Sequence, residues 1–255
     1  MTAPTDLKIP PHIFEAPFAN PIAGGLYAAA TTEVVNDPPR LAFGLEVWPS
    51  NCGGVQRFDP KCGADNEDKA EQGDTAKASF GSIGVVAADE CLFGRTDDEA
   101  QRRATQSLRL REQVEVEDWF AEVLLDKAGT PATAVGTGME ALVAAVGSIE
   151  LALGQRGVPG VIHASAALAA LAVHANVAKP STNGRYTSPL GHTWAFGGGY
   201  GDLGNTIVGT GPVYVIQSSV VTGIGREVRQ NTRLAIAERE IAVGYECAAV
   251  AANIA

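Results

Sequence analysis

The sequence predicts an α+β fold, with one long helix and a run of strands in separate stretches of the chain. Three observations carry this. Residues 96–126 keep apolar positions at helical spacing behind a capped start. From His192 onward the chain reads mainly as strands, with Thr232, Leu234 and Ile236 in period two. Between two strand-like runs, Leu45 to Trp48 and Ala78 to Val86, lies a polar excursion too long for an ordinary hairpin loop. The composition agrees: 45% hydrophobic, only 6% aromatic, with 29 Gly and 14 Pro among 255 residues, which favours thin layers over a deep aromatic-lined pocket.

Residues 1–44 read as an extended arm, because Pro4, Pro10, Pro11, Pro17, Pro21, Pro38 and Pro39 disfavour both helix and central strand. It is not a polar linker. Ile13, Phe14, Phe18, Ile22, Leu26 and Tyr27 need burial, either on another surface or folded back on the arm's own domain. Residues 45–87 read as an extended hairpin loop, whose stretch from Asp59 to Asp74 holds 6 acidic and 2 basic residues.

The helix of 96–126 opens with Thr96 before Asp97, Asp98 and Glu99, acids at the positive end of the dipole. Ala100, Ala104, Leu108, Val116, Trp119, Phe120, Val123 and Leu124 form its apolar positions, and Gly129 with Pro131 marks its stop. At a rise of 1.5 Å per residue it is roughly 45 Å long, a spine crossing the molecule. A second capping box is expected at Thr137 with Glu140, followed by Met139, Leu142, Val143, Val146 and Ile149 on one face, with Gly154 and Gly157 at the end.

Next comes a short buried step: strand Val161 to Ala164, then an Ala/Leu helix capped by Ser165 and running to about Asn176. Pro180 to Arg185 is turn-rich. His192 to Phe196 and Val213 to Val221 read as strands around a glycine-rich loop, 197–211. The run from Thr232 to Val243 and a last strand from Cys247 to Ile254 are expected to pair as an antiparallel hairpin turning near Gly244.

The net charge of −10 is uneven: residues 1–126 carry 22 acids and 11 bases, a balance of −11, while 127–255 carry 7 and 8, a balance of +1. The acidic half excludes a general nucleic-acid-binding surface, and the neutral Ala/Gly-rich half suits packing against copies of itself. No apolar run of about 18 residues exists, so no membrane span is expected. Residues 1–8 contain no apolar stretch, so no secretory leader is expected either. The four cysteines, Cys52, Cys62, Cys91 and Cys247, are too few and scattered for a disulfide scaffold. They point to a reducing compartment, with Cys52 and Cys62 as ordinary thiols and Cys91 and Cys247 as small buried hydrophobes.

No motif for chemistry stands out. Cys52 and Cys62 lack the close pairing and nearby His of a metal site. His12, His163, His174 and His192 are scattered, without a Gly-x-Ser-x-Gly or His-Glu-x-x-His companion. The run Gly197-Gly198-Gly199-Tyr200-Gly201-Asp202-Leu203-Gly204 lacks a Gly-Lys-Ser/Thr ending, so it reads as a tight surface loop with close chain approach. No catalytic residue, cofactor or metal is assigned.

The spine helix itself is unusual. Arg102, Arg103, Arg109 and Arg111 fill its first half, while Glu112, Glu115, Glu117, Asp118, Glu122 and Asp126 fill its second, against the helix dipole. Two readings stay open: an oppositely charged partner, or a solvated face with pairs such as Arg111 with Glu115.

The order of elements resembles the major capsid proteins of tailed bacteriophages and the related encapsulins, whose Hong Kong ninety-seven type (Johnson) fold has an N-arm, an E-loop, a P-domain with a spine helix and an A-domain. Local runs are similar to actinobacterial phage head proteins: Val85-Val86-Ala87-Ala88-Asp89-Glu90-Cys91-Leu92-Phe93-Gly94 before the helix, and Val114-Glu115-Val116-Glu117-Asp118-Trp119-Phe120 late in it. So are Gly160-Val161-Ile162-His163-Ala164-Ser165, Ser188-Pro189-Leu190-Gly191-His192-Thr193-Trp194 and Gly211-Pro212-Val213-Tyr214-Val215. The ending, Ala237-Glu238-Arg239-Glu240-Ile241-Ala242-Val243 with Cys247 to Ile254, resembles their last P-domain strands.

The resemblance implies an N-terminal arm at 1–44, an E-loop hairpin at 45–87, a P-domain from 88–154 and 230–255, and an A-domain at 155–229. It implies a non-enzymatic subunit that assembles with itself, as hexamers and pentamers, into an icosahedral shell enclosing double-stranded DNA without sequence-specific binding. The implied partners are a portal and separate scaffolding or decoration proteins. No membrane is involved, and no fused scaffolding segment is expected before the arm. The implied location is the virion, with assembly in the bacterial cytoplasm. Phe14, Phe18, Arg102, Arg103, Arg109, Arg111, Glu115 and Asp118 are the expected assembly-interface residues. An encapsulin-type compartment and, from another class, a cytosolic α+β enzyme using His163 or His192 are the alternatives.

Overall fold

The computed structural model describes residues 16–36, 38–55, 57, 76–91, 96–181, 184–227 and 232–254. A short helix, α1 (Leu26–Ala29), leads into β1 (Thr31–Val35) and a second short helix, α2 (Pro38–Leu41). β2 (Leu45–Val47) and β3 (Ala78–Phe80) pair antiparallel, Leu45 opposite Phe80, and form the expected base of the polar excursion. The middle of that excursion, with Cys62, lies outside the described residues. Strand β4 (Ser82–Cys91) follows directly.

The spine is α3 (Asp97–Ala128), 32 residues long. The Glu99 N–H donates to Thr96 Oγ1 at 3.2 Å, which is the expected cap, and Gly129 ends the helix at φ 68°. After a two-residue strand, β5 (Ala132–Thr133), comes α4 (Met139–Arg156), which ends on the left-handed Gly157. Its start departs from expectation. Gly138 is the N-cap, no side chain caps it, and Thr137 stands outside the helix between Gly136 and Gly138, both at positive φ.

β6 (Val161–Ser165) runs into a 3-10 turn capped by Ser165, then into α5 (Ala169–His174). Two short strands, β7 (Lys179–Pro180) and β8 (Tyr186–Thr187), precede β9 (Thr193–Gly197). The expected loop of 197–211 instead contains a 3-10 turn at Tyr200–Leu203 and a buried strand, β10 (Thr206–Thr210). Its glycines disguise a strand whose Ile207 and Val208 are core residues. β11 (Val213–Ser218), β12 (Val221–Glu227), β13 (Thr232–Tyr245) and β14 (Ala249–Asn253) complete the chain.

The strands form two main sheets. In the first, β13 is the central rod: β4 pairs along one edge, while β12 and then β11 pair along the other, and β1 adds parallel to β11. The second runs β5-β14-β10-β6-β9-β8-β7. The expected hairpin between the last two strands is therefore corrected. Strand β13 belongs to the first sheet and β14 to the second, where it pairs with β10. Burial accompanies the switch: in the second sheet β14 is covered on both faces, Ala252 in the core beneath α4 and Ala251 in the core beneath α3.

There are two cores, and the one under α3 draws on both sheets, taking Val161, Ala195, Val208 and Ala251 from the second. Helix α3 lays Leu108, Val116, Phe120 and Leu124 on the first sheet's Val215, Ile241 and Val243. Helix α4 lays Leu142, Ile149 and Leu153 on Ile162, Trp194 and Ile207 of the second. Among the described residues no helix is long and apolar enough to cross a membrane.

Candidate assembly surfaces

The last part of the arm lies along its own spine helix. Gln106 Nε2 donates to Ala19 O at 2.6 Å, Arg109 to Asn20 Oδ1 at 2.7 Å, and Gln113 Nε2 to Gly24 O at 2.9 Å. The Leu26 N–H donates to Glu117 Oε1 at 2.8 Å. Steps of three or four residues put these side chains on one helix face, so the arm and helix run in the same direction. Gly25, at φ 86°, is required here: a Cβ would stand 2.1 Å from Gln113 Nε2. Of the two readings of the arm, residues 19–26 follow the second, folding on their own domain.

The apolar anchors of the arm do not all follow. Phe14 lies outside the described residues. Phe18 is 60% exposed and Ile22 87% exposed. Phe18 caps an open groove of about 790 Å³ at the start of α3, which Arg102 and Asp98 also line. A second groove, of about 630 Å³, lies between α3 and β4. Arg111, Glu115 and Asp118 line it together with Val86, itself 62% exposed. The eight expected interface residues thus divide between surfaces. Phe18 and Arg102 share one groove, and Arg111, Glu115 and Asp118 share the other. Arg109 holds the arm, and Arg103 pairs with Glu99 at 3.6 Å, one turn back. Among the described residues Arg111 and Glu115 form no ion pair with each other within 4.0 Å, so the expected pair is absent.

Two acids of α3 that read as surface charge are buried. Glu112 is 6% exposed and receives Arg239 of β13, whose Nε lies 2.7 Å from its Oε2. Glu117 is 0% exposed and accepts from the Leu26 N–H, from Gln113 Nε2 at 2.9 Å and from the Gly199 N–H at 3.0 Å. Burial raises the Glu117 carboxyl above its ordinary range, against the lowering effect of these donors. A sequence signal existed. Glu112 continues the buried stripe of Leu108 and Val116 at i+4, and Glu117 sits beside it between Val116 and Phe120.

The glycine run is absorbed into the same joint. A Cβ at Gly199 would stand 2.0 Å from Val114 O of α3, so the chain must be bare there to reach Glu117. The close approach expected of this run is real, but Gly197 and Gly199 are buried rather than on the surface.

The histidines are structural in their contacts. His163 is fully buried, with Nδ1 2.9 Å from Tyr200 Oη and Nε2 3.0 Å from Thr210 Oγ1. The Thr210 hydroxyl donates to Gly211 O, so it accepts from His163 Nε2–H, and Tyr200 donates to Nδ1. Burial lowers the His163 pKa to about 3, which keeps the ring neutral. His192 Nδ1 accepts the Gly160 N–H at 3.0 Å.

The cysteine expectation is corrected. Cys52 and Cys247, 195 residues apart, are joined by a disulfide. Spacing along the chain hid the pair, because the β2–β3 base brings Cys52 over the β13–β14 junction. With Glu246 these two sulfurs form a cluster of metal-ligand type, but the sulfurs are bonded to each other.

No protein-family model and no curated protein matches the sequence. Solved structures do. The mature capsid of bacteriophage PhiM1 is 10% identical, with a TM-score of 0.55 over 98% of this chain and 92% of that one. A virus-like particle from Pyrococcus furiosus is 10% identical, with a TM-score of 0.59 over 89% and 91%. The capsid of Ralstonia phage GP4 is 9% identical, with a TM-score of 0.55 over 98% and 96%. The likeness spans nearly the whole chain, so the architecture expected from the order of elements, the tailed-phage capsid fold, is the one this chain has.

Proposed function

We propose that this chain is a structural shell subunit, a major capsid protein that assembles with copies of itself into a closed icosahedral head around double-stranded DNA. The observation that carries the reading is the fold, shared over nearly the full chain with capsid and virus-like particle subunits. The surface supports it. Phe18, Ile22, Phe43 and Trp48 stand 60%, 87%, 93% and 67% exposed in the single chain, and such apolar groups gain from burial against a neighbour. The two grooves along α3 are the surfaces assigned to that burial. In this reading the −10 charge limits adhesion of enclosed DNA to the wall.

The portal, scaffolding and decoration partners, virion location, cytoplasmic assembly and absence of enzymatic activity belong to the same proposal. So does the assignment of 1–44, 45–87, 88–154 with 230–255, and 155–229 to arm, E-loop, P-domain and A-domain.

A second reading is an encapsulin-like compartment, which the fold shared with a virus-like particle from Pyrococcus furiosus also accommodates. Negative-stain microscopy of the purified chain tests both. Closed shells tens of nanometres across are expected, and a 26.4 kDa monomer at every concentration overturns both readings. Particles holding DNA support the first, and particles holding a protein cargo support the second.

A further inference from the structure

We propose that Cys52 and Cys247 form a reversible redox staple, closed on a segment that the Glu246 carboxylate has already docked. The inference does not depend on shell formation. Cys52 stands at the foot of the polar excursion, shortly after β2, and Cys247 lies between β13 and β14, where the chain passes from one sheet to the other. Their Cα atoms are 5.0 Å apart, within the span a disulfide bridges.

The docking does not need the sulfur bond. Glu246, adjacent to Cys247, is 3% exposed. It accepts from the Ser50 N–H at 2.8 Å, the Asn51 N–H at 3.2 Å, Asn51 Nδ2, and the Tyr214 hydroxyl at 2.6 Å. These bonds hold residues 50–51 in place and leave Cys52 Sγ 3.9 Å from Glu246 Oε2. With both thiols reduced, the same bonds keep the sulfurs within reach of each other.

The backbone gives a second argument. Cys247 has φ 72°, a left-handed conformation that glycine adopts freely and other residues rarely. A glycine would satisfy the turn better, so a cysteine there points to a role for its sulfur. The sulfurs are also reachable: an open cavity of about 180 Å³, lined by Pro49, Lys127 and Tyr245, reaches both cysteines.

Closure is a thiol–disulfide exchange. One thiolate attacks a small-molecule disulfide such as oxidised glutathione, forming a mixed disulfide and releasing one glutathione, and the second attacks the protein sulfur of that mixed disulfide and releases the other. In total two protein thiols and one glutathione disulfide give the protein disulfide and two glutathiones. In a reducing compartment the foot of the excursion is held by Glu246 alone, and in an oxidising one by Glu246 and the covalent bond.

The test equilibrates the full chain across ratios of glutathione to its disulfide, quenches with acid, alkylates, and maps peptides by mass spectrometry. The expected result is a Cys52–Cys247 linked peptide that forms and opens reversibly, with Cys62 and Cys91 alkylated at every ratio. Glu246→Gln is expected to move half-oxidation on the order of tenfold toward oxidising ratios, by weakening the charge-assisted bonds that hold the reduced form docked. Glu238→Gln, at an exposed site on β13, is expected to leave it unchanged. Should Glu246→Gln fail to fold by circular dichroism, Asn51→Ala, which removes one donor, is expected to give a smaller shift in the same direction. A Cys52–Cys62 linkage overturns the proposal, as does alkylation of all four cysteines in excess oxidised glutathione. An unmoved half-oxidation point in a folded Glu246→Gln or Asn51→Ala variant overturns the docking. One zinc per reduced chain, shielding both cysteines from alkylation, replaces the staple with a metal site and overturns it too.

Discussion

His163 and Glu117 show how far a residue's type understates its role. Both are titratable, both are fully buried, and each ties several elements together. For His163 the folded pKa, about 3, lies below the ordinary 6.5. The folded state therefore binds fewer protons than the unfolded one below pH 6.5. Its contribution is fully present above that pH and is lost as the pH falls. From this group alone, denaturant titrations are expected to show about 2 kcal/mol less stability at pH 5 than at pH 7.5. A His163→Gln variant is expected to lack that part of the slope. For Glu117 the raised carboxyl reverses the sign: its contribution is greatest below the unfolded carboxylate pKa and declines as the pH rises through it. Removing the side chain is a different matter, because Glu117→Ala leaves the Leu26 and Gly199 N–H groups without their acceptor. A loss of about 3 kcal/mol in urea unfolding is expected.

At the scale of elements, α3 is the organiser. Its apolar stripe was plain from spacing, and its cap and stop were plain from Thr96 and Gly129. Its charges were not. Asp97 receives Arg226 of β12 and Arg233 of β13, and Glu112 receives Arg239 of β13, so acids at separate turns of one helix each grip the first sheet. These donors lie between 127 and 136 positions from the acids they pair with, where no periodicity reaches. Because the Glu112–Arg239 pair is largely buried, Arg239→Ala strands a charge and is expected to cost on the order of 3–5 kcal/mol, read by thermal and chemical unfolding. A neighbouring face of the helix holds the arm. Gln113→Ala removes the donor to Gly24 O and the donor to Glu117. Faster amide exchange across residues 19–26, with the two cores unchanged, is the expected result.

Over the whole molecule, the two sheets are joined by the core under α3, to which both contribute, by the β13–β14 switch and by the Cys52–Cys247 bond. A bond closing about 195 residues restricts the unfolded chain strongly, so Cys52→Ser with Cys247→Ser is expected to lose about 3–5 kcal/mol under oxidising conditions and little under reducing ones. The paired variants Arg111→Glu and Arg109→Glu separate the two faces of the spine. The first changes only the open groove and is expected to lower shell yield with normal subunit folding, scored by microscopy and circular dichroism. The second also loosens the subunit's own arm.

Periodicity, caps and turn residues were enough to place α3, the base of the excursion, the β6–α5 step and the strand-rich end, because these follow from neighbours within one or two turns of chain. The order of those elements was enough to point to the capsid architecture. Long-range choices were out of reach for the same reason. Which sheet receives β14, which groups pair with Glu117 and Glu112, that the glycine run presses on a helix, and that Cys52 meets Cys247 each depend on packing between distant segments. Their free energy comes from burial and paired polar groups that exist only once both partners are assembled. An α+β shell-like layer with a strongly acidic first half was therefore legible residue by residue, whereas the joints that hold its layers together were decided in three dimensions.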